Sequence, residues 1–127
     1  MNFQSYITKK LNQNLMSKNF KPIIVVAGEP KSVFLELYLK SFNKFKKNPL
    51  VLICNKKLLN DQMKLLRFKK PINILNIKNK IDFKNLKNKR INLIDIPLDY
   101  KSLHYIKIKN SNRYIKESFT TALELLR

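Results

Sequence analysis

Two short apolar runs, each followed by residues with helical spacing, constrain the fold of this chain more than any other feature. Residues 23–27 form an unbroken, mostly β-branched run, and residues 50–54 form a second run of the same length. Such runs are typical of parallel strands covered on both faces, because a strand with one wet face alternates apolar and polar residues. We therefore expect two parallel strands, the first of them central and covered on both faces.

A helix is expected after each run, because the apolar residues recur with the period of an amphipathic helix. Ser32 is placed to cap the first helix, and Asn55 is placed to cap the second. The predicted buried face of the first helix consists of Val33, Phe34, Leu37, Tyr38, Phe42 and Phe45. The predicted buried face of the second consists of Leu58, Leu59, Met63 and Leu66.

Two weaker strands and a final helix follow. Residues 72–77 and 91–96 interleave Asn with apolar residues, so both strands are expected to be less buried and nearer an edge. A last helix is expected to start at Ser111 or Asn112. Its predicted buried face consists of Ile115, Phe119, Ala122, Leu123 and Leu126.

This alternation of strands and helices predicts right-handed crossovers and a three-layer α/β/α fold with a mostly parallel sheet. The last helix reaches Arg127 without a Gly, Asn or Pro stop signal, and no strand follows to cover its apolar stripe. Either this stripe docks back on the sheet or the sequence is cut within a larger fold, and of the two we expect a partial domain, truncated from a larger fold. Residues 1–20 are expected to be an N-terminal extension, either a terminal helix or sequence upstream of a start at Met16.

The chain is strongly basic, with 27 Lys and Arg against 8 Asp and Glu and a net charge of +19. Arg is the preferred residue for bidentate phosphate contacts, yet only 4 of the basic residues are Arg. Abundant Lys, Asn and Ile with scarce Gly and Ala fit AT-rich codon usage. The densest basic stretch, residues 78–90, contains Phe83 as its single aromatic residue, so no base-stacking platform is evident. We therefore do not expect a nucleic-acid partner, and a basic α/β nucleic-acid-binding module is the alternative.

Several classes of protein are excluded by the same pattern. The longest apolar runs are 5 residues, far shorter than a membrane span, and no signal-peptide pattern is visible. Cys54 is the single cysteine, which excludes an intrachain disulfide and a cysteine metal cluster. We expect a cytoplasmic protein with no membrane partner.

The turn after the first run is the candidate site. Ligands of open parallel sheets bind beyond the carboxyl ends of the strands, and Gly28, the only glycine, lies there. Glu29 offers a carboxylate, and backbone amides near Ser32 can receive an anion. We expect Gly28, Glu29, Pro30 and Ser32 to line a cleft, and a plain strand-to-helix turn is the alternative. A single glycine excludes a Gly-rich dinucleotide fingerprint and a P-loop.

Other chemistry-bearing residues do not form a recognisable active site. His104, the sole histidine, is expected to be a bystander in a loop, and Cys54 is expected to pack as a small apolar residue. Asp95 and Asp99 flank the end of the fourth predicted strand and are expected to be solvated or turn-forming. We therefore predict no catalytic residue and no metal ligand within this chain.

Residues 21–30, which read Lys-Pro-Ile-Ile-Val-Val-Ala-Gly-Glu-Pro, resemble the opening of the 4-hydroxythreonine-4-phosphate dehydrogenase family. Residues 49–54 and the Leu-rich helix after them resemble the second strand and helix of that family, and residues 111–123 resemble a later helix. The resemblance covers residues 21–127, the first third or so of a family member. Members continue with Ala-Gly-Ile-Gly, where this chain has Lys31-Ser32-Val33-Phe34.

The resemblance implies an isocitrate/isopropylmalate dehydrogenase-like fold and an NAD-dependent oxidation of 4-phosphooxy-L-threonine in pyridoxal phosphate (vitamin B6) biosynthesis. Family members are cytoplasmic homodimers that use NAD and a divalent metal held by histidines. Those histidines, and the principal substrate and cofactor residues, follow the part of the family that this chain matches. The resemblance therefore implies that this segment alone binds neither NAD nor metal and is inactive.

Overall fold

The computed structural model describes residues 21–45 and 47–127. The predicted N-terminal extension, including the start at Met16, lies outside these residues. The described part contains four strands and three α-helices, with short 3₁₀ helices at Phe42–Lys44 and Phe83–Asn85. In chain order the main elements are β1 (Ile23–Val26), α1 (Phe34–Ser41), β2 (Leu50–Cys54), α2 (Lys56–Leu65), β3 (Ile72–Ile74), β4 (Ile91–Asp95) and α3 (Ile108–Leu125).

The four strands form one parallel sheet in the order β1-β2-β4-β3. The predicted parallel α/β class is confirmed, but the prediction that β1 is central is wrong. The faces of β1 are partly covered, because α3 packs against β1 and α1 lies beside Val25. β1 pairs with β2 on one side only, and Ile23 is 39% exposed, whereas Val51, Leu52 and Ile53 of β2 are fully buried. An apolar run shows that a strand contacts the core, but it does not show how many strands flank it.

β4 is more deeply buried than its sequence predicts. It lies between β2 and β3, and Asn92 is only 2% exposed. The Asn92 amide nitrogen donates to the carbonyls of Leu50 and Lys87 at 3.2 Å each, and its oxygen accepts from the Asn73 amide at 3.1 Å. Because these partners satisfy the buried amide, Asn92 does not mark an edge. The edge prediction holds for β3, which ends at Ile74 rather than at residue 77.

The first helix buries only part of the predicted face, because Tyr38 and Phe42 are buried and Phe34 half-buried as predicted, whereas other members of that face are exposed. Leu35, Tyr38 and Leu39 are buried, while Val33 and Leu37 are 66% and 58% exposed. The helix starts at Phe34 and turns its Leu35 and Leu39 side toward the core. In α2 the predicted residues Leu58, Leu59 and Met63 are buried, and Leu66 packs half-buried against them.

The last helix, α3, is longer than predicted and is rotated about its axis. It begins at Ile108, three residues before Ser111, and buries Ser111, Tyr114, Ser118 and Ala122. Of the predicted face, Ala122 is buried and Ile115 half-buried, but Phe119, Leu123 and Leu126 are 50% to 72% exposed. The small buried residues let α3 lie close to β1 and β2, and the Tyr114 side chain fills the space between them.

Both faces of the sheet are covered at β2, because consecutive strand residues point to opposite faces and Val51 to Cys54 are all fully buried. α1 packs against α2, and α3 packs against β1 and β2. Within the described ranges, none of the helices combines the length and the apolarity that a membrane crossing needs.

Candidate functional site at the carboxyl edge of the sheet

The carboxyl ends of all four strands meet at one edge of the sheet, since every strand pair is parallel. We call this the carboxyl edge, and we call the opposite side, where the strands begin, the amino edge. Gly28 follows β1, Asn55 follows β2 and Asp95 ends β4, so the candidate turn lies beside the end of β2, on the side away from β4. This is the edge at which open α/β sheets bind ligands.

The turn after β1 has the backbone that its glycine predicts. Gly28 has φ of +73°, a left-handed conformation that favours glycine. A Cβ built at Gly28 would meet no atom within 4 Å, so the turn needs glycine for its backbone angle rather than for close approach to a neighbour.

The polar groups of this turn bond to one another. The Ser32 amide donates to the Glu29 carbonyl at 3.1 Å, and the Lys31 amide donates to the Glu29 carboxylate at 3.4 Å. Ser32 does not occupy the cap position, which belongs to Val33, but its hydroxyl accepts from the Phe34 amide at 3.3 Å. Glu29 is exposed and Pro30 is buried. That this turn lines a cleft stays a prediction.

Asn55 joins three elements at the carboxyl edge. Its side-chain oxygen accepts from the Leu58 amide at 3.0 Å, which confirms the predicted cap of α2. Its side-chain nitrogen donates to the Ile96 carbonyl at 2.9 Å, beyond the end of β4. Its backbone amide lies 3.2 Å from the hydroxyl oxygen of Tyr114 on α3 and donates to it. Asn55 is only 8% exposed, so these bonds are shielded from water.

Cys54 precedes Asn55 and packs in the core as predicted. It is fully buried, and burial raises the pKa of its thiol to about 12. The neighbouring Tyr114 hydroxyl is also buried, and this burial raises the pKa of Tyr114 above its usual value. A thiol that stays protonated at neutral pH is a poor nucleophile, so Cys54 has a structural role.

A second set of contacts ties the loop after β4 to α2. The Tyr100 hydroxyl donates to the Asp61 carboxylate at 2.6 Å. The Lys57 ammonium donates to the Tyr100 carbonyl at 2.8 Å and lies 4.1 Å from the centre of its ring. Burial, with the hydrogen bond to Asp61, raises the pKa of Tyr100. Sequence reasoning missed this contact, because no local pattern pairs residues 39 to 43 positions apart.

The remaining sequence candidates do not converge. Asp95 accepts from the Lys56 amide at 2.8 Å and so helps to cap α2, while the Asp99 carbonyl accepts from Asn110. The His104 side chain is exposed in a loop. Across residues 21–45 and 47–127, no three His, Cys, Asp or Glu side chains are placed to hold a metal.

One cavity opens at the carboxyl edge, between the end of β4 and α3. Its volume is about 570 Å³, and it is lined by charges of both signs and by hydroxyl groups. The polar lining residues are Asp95, Arg113, Lys116, Glu117, Thr120, Thr121 and Glu124. This lining suits a small polar ligand that carries both positive and negative groups.

Two further cavities lie at the amino edge, and sequence reasoning missed both. One, of about 470 Å³, is formed where the chain enters β2, β3 and β4, and the other, of about 960 Å³, adjoins it at Lys70. A smaller apolar groove of about 260 Å³ lies between β1 and α1. None of these cavities, nor the one at the carboxyl edge, is lined by Gly28, Glu29, Pro30 or Ser32.

Comparison of the sequence with protein-family models, and with curated protein sequences, gives no match. The function is therefore inferred from the parallel sheet, the residues at its two edges and the sequence resemblance.

Proposed function

We propose that residues 21–127 are the N-terminal part of an NAD-dependent 4-hydroxythreonine-4-phosphate dehydrogenase, which oxidises 4-phosphooxy-L-threonine in pyridoxal phosphate biosynthesis. The supporting observation is the end of β1, where a parallel strand runs into Gly28-Glu29-Pro30 and Gly28 adopts a φ of +73°. The motif that carries the resemblance thus lies at the edge where α/β enzymes bind their ligands.

The mixed-charge cavity at the same edge gives a second line of support. The substrate carries a phosphate, an ammonium group and a carboxylate, and Arg113, Lys116 and Glu117 offer charges of both signs. A cavity of about 570 Å³ lies within the ~300–1,000 Å³ usual for small-molecule sites. In this proposal the cavity forms one wall of the substrate cleft, opposite residues contributed by the rest of the enzyme.

The described residues do not fit a divalent metal, because no three of their His, Cys, Asp or Glu side chains converge. They also contain no Gly-rich segment for the pyrophosphate of NAD, as the chain has one glycine. In the proposal both groups are held by residues that follow the matched segment. The segment by itself is then inactive, and the complete enzyme is a cytoplasmic homodimer.

A chimeric enzyme tests the proposal. Residues 21–127 replace the corresponding segment of a complete dehydrogenase of this family, and NADH formation is followed with 4-phosphooxy-L-threonine, NAD and a divalent metal. We expect NADH formation that depends on the substrate. A chimera that is folded and dimeric by circular dichroism and gel filtration but forms no NADH would contradict the proposal.

The reading frame after codon 127 gives an independent check. The resemblance predicts a following strand that ends in Pro-x-x-Lys and then a His-rich region. A different sequence in that frame would count against the assignment.

A further inference from the structure

The cavity of about 470 Å³ at the amino edge is assembled from three segments that are distant in sequence. Phe42, Phe45 and Lys47 come from the α1–β2 connection, Lys70 precedes β3, and Lys87 and Lys89 precede β4. We call this the amino-edge cleft. Asn88 holds its walls together, because its side chain accepts from the Leu50 amide and donates to the carbonyls of Phe45 and Asn48 at 2.7 to 2.9 Å.

The cleft carries positive charge without compensation. Four lysines line it and no carboxylate does, and the adjoining cavity adds Lys64, Arg67 and Lys69, again with no carboxylate. The one salt bridge within the described ranges joins Lys40 to Glu36, away from the cleft. AT-rich codon usage explains abundant lysine, but it does not explain why lysines from three segments surround one cavity that contains no acidic residue.

An aromatic ring lies among these lysines. Phe45 is 43% exposed, so part of its ring is available at the cleft. Phe42 also lines the cleft but is buried, with the Lys70 ammonium 4.8 Å from the centre of its ring. Grooves that bind single-stranded nucleic acid combine a basic path for the phosphates with an aromatic side chain on which a base stacks. The linear sequence shows this pairing only in part, because Lys47 follows Phe45 by two positions whereas Lys87 is 42 positions away.

We propose that the amino-edge cleft binds single-stranded nucleic acid, with backbone phosphates at its four lysines and a base stacked on Phe45. A duplex is read by a protruding helix or ribbon that enters its groove, whereas a concave site receives unstacked bases. The exposed Phe45 ring favours a nucleic acid over an acidic protein as the partner. A base can stack on the ring, whereas the ring offers an acidic side chain neither a charge nor a hydrogen bond. This site is separate from the carboxyl edge, so it does not depend on the proposed dehydrogenase function.

Fluorescence anisotropy of labelled oligouridylate with the 127-residue chain tests the proposal. Four phosphate contacts predict a slope of about −3 for the logarithm of the binding constant against that of the salt concentration. The double variant Lys87→Gln/Lys89→Gln should make this slope shallower by about 1.5. The matched control Lys101→Gln/Lys109→Gln, with the same charge change at the carboxyl edge, should leave the slope unchanged.

The stacking contact is tested separately. Phe45→Ala should weaken binding by about 5- to 150-fold, and Phe45→Tyr, which keeps the ring, should restore it. Phe119→Ala removes an equally exposed ring from α3 and should have no effect. Circular dichroism verifies that each variant is folded.

Three results would overturn the proposal: equal slopes for the two double variants, unchanged affinity in Phe45→Ala, or equally tight binding of polyglutamate.

Discussion

Each edge of the sheet is held together by one asparagine, but the two asparagines have different surroundings. Asn55 at the carboxyl edge is 8% exposed and bonds to α2, to the loop after β4 and to α3. Asn88 at the amino edge is half-buried and bonds to the α1–β2 connection and to the start of β2. Asn55 at the carboxyl edge is therefore shielded from water, whereas Asn88 at the amino edge is partly accessible to water.

The two edges also use their charged groups differently. At the carboxyl edge Asp95 caps α2, and Asp61 and Lys57 bond to Tyr100. At the amino edge the lysines of the cleft have no carboxylate beside them. The difference teaches that some charged residues at the carboxyl edge hold the fold while those of the cavity beside α3 carry both signs, whereas the charges of the amino-edge cleft are all positive.

The largest expected effect compares the two asparagines directly. Asn55→Ala removes the cap of α2 and leaves the buried Ile96 carbonyl without its partner, so we expect it to lower the free energy of unfolding by about 3 kcal/mol. Asn88→Ala removes bonds to the carbonyls of Phe45 and Asn48, which are less buried, and to the amide of Leu50, and we expect a smaller loss of about 1.5 kcal/mol. Urea unfolding followed by circular dichroism measures both.

If the two variants lost the same free energy of unfolding, the comparison would fail, because the deeper burial of Asn55 would then make no difference to stability. Asn112→Ala, at an exposed position on α3, is a suitable control and should change the unfolding free energy by less than about 0.5 kcal/mol.

The element order and the parallel sheet could be predicted from the sequence, because apolar runs and helical spacing are local patterns. The position of each strand in the sheet could not. β1 and β2 have similar sequences, yet β1 lies at an edge and β2 in the centre. Asn92 was misjudged because the partners that satisfy its amide, at Leu50 and Asn73, lie 42 and 19 positions away.

The candidate site was predictable to a similar degree. The cap at Asn55 depends on neighbouring residues and agrees with the sequence prediction, and the positive φ of Gly28 is a conformation that glycine favours. The bond from Asn55 to Tyr114 spans 59 positions, and the amino-edge cleft needs three separate segments. Such contacts depend on how α3 and the loops pack, which composition and periodicity do not specify.

A smaller effect tests whether water is excluded from Cys54, at the end of β2. Burial raises the pKa of Cys54 to about 12, whereas an unfolded thiol titrates near ~8.5. Above a pH of about 8.5, unfolding therefore releases the proton of the Cys54 thiol, so the free energy of unfolding falls as the pH rises. Between roughly pH 8.5 and pH 10 we expect a loss of about 1.5 kcal/mol, measured by urea unfolding across that range.

Cys54→Ala is the control for this pH dependence, because it should remove the part of the loss that comes from the thiol and leave the part that comes from buried tyrosines such as Tyr114. The native thiol should also react with a disulfide reagent at neutral pH only as fast as the chain unfolds. Rapid modification of the folded protein would show that water reaches the carboxyl edge at Cys54.

The smallest effects concern the backbone, where each edge has one residue with a positive φ. Gly28 at the carboxyl edge has φ of +73°, and Arg67 at the amino edge has φ of +53°. Arg67 follows the end of α2 in a Schellman turn. Its amide donates to the Lys64 carbonyl, and the Phe68 amide donates to the Met63 carbonyl. Gly28→Ala should cost about 1 kcal/mol, all of it from the backbone because its Cβ has room.

Arg67→Gly should raise the free energy of unfolding by about 0.5 kcal/mol, since glycine removes the steric cost of the left-handed conformation but gains freedom in the unfolded chain. Thermal and urea unfolding of both variants measure this opposite pair of changes. If Gly28→Ala left the free energy of unfolding unchanged, the turn would be adopting a backbone angle that alanine also allows. The positive φ would then not explain why glycine follows β1. If Arg67→Gly destabilised the protein, the arginine side chain would be contributing contacts at the amino edge that outweigh its backbone strain.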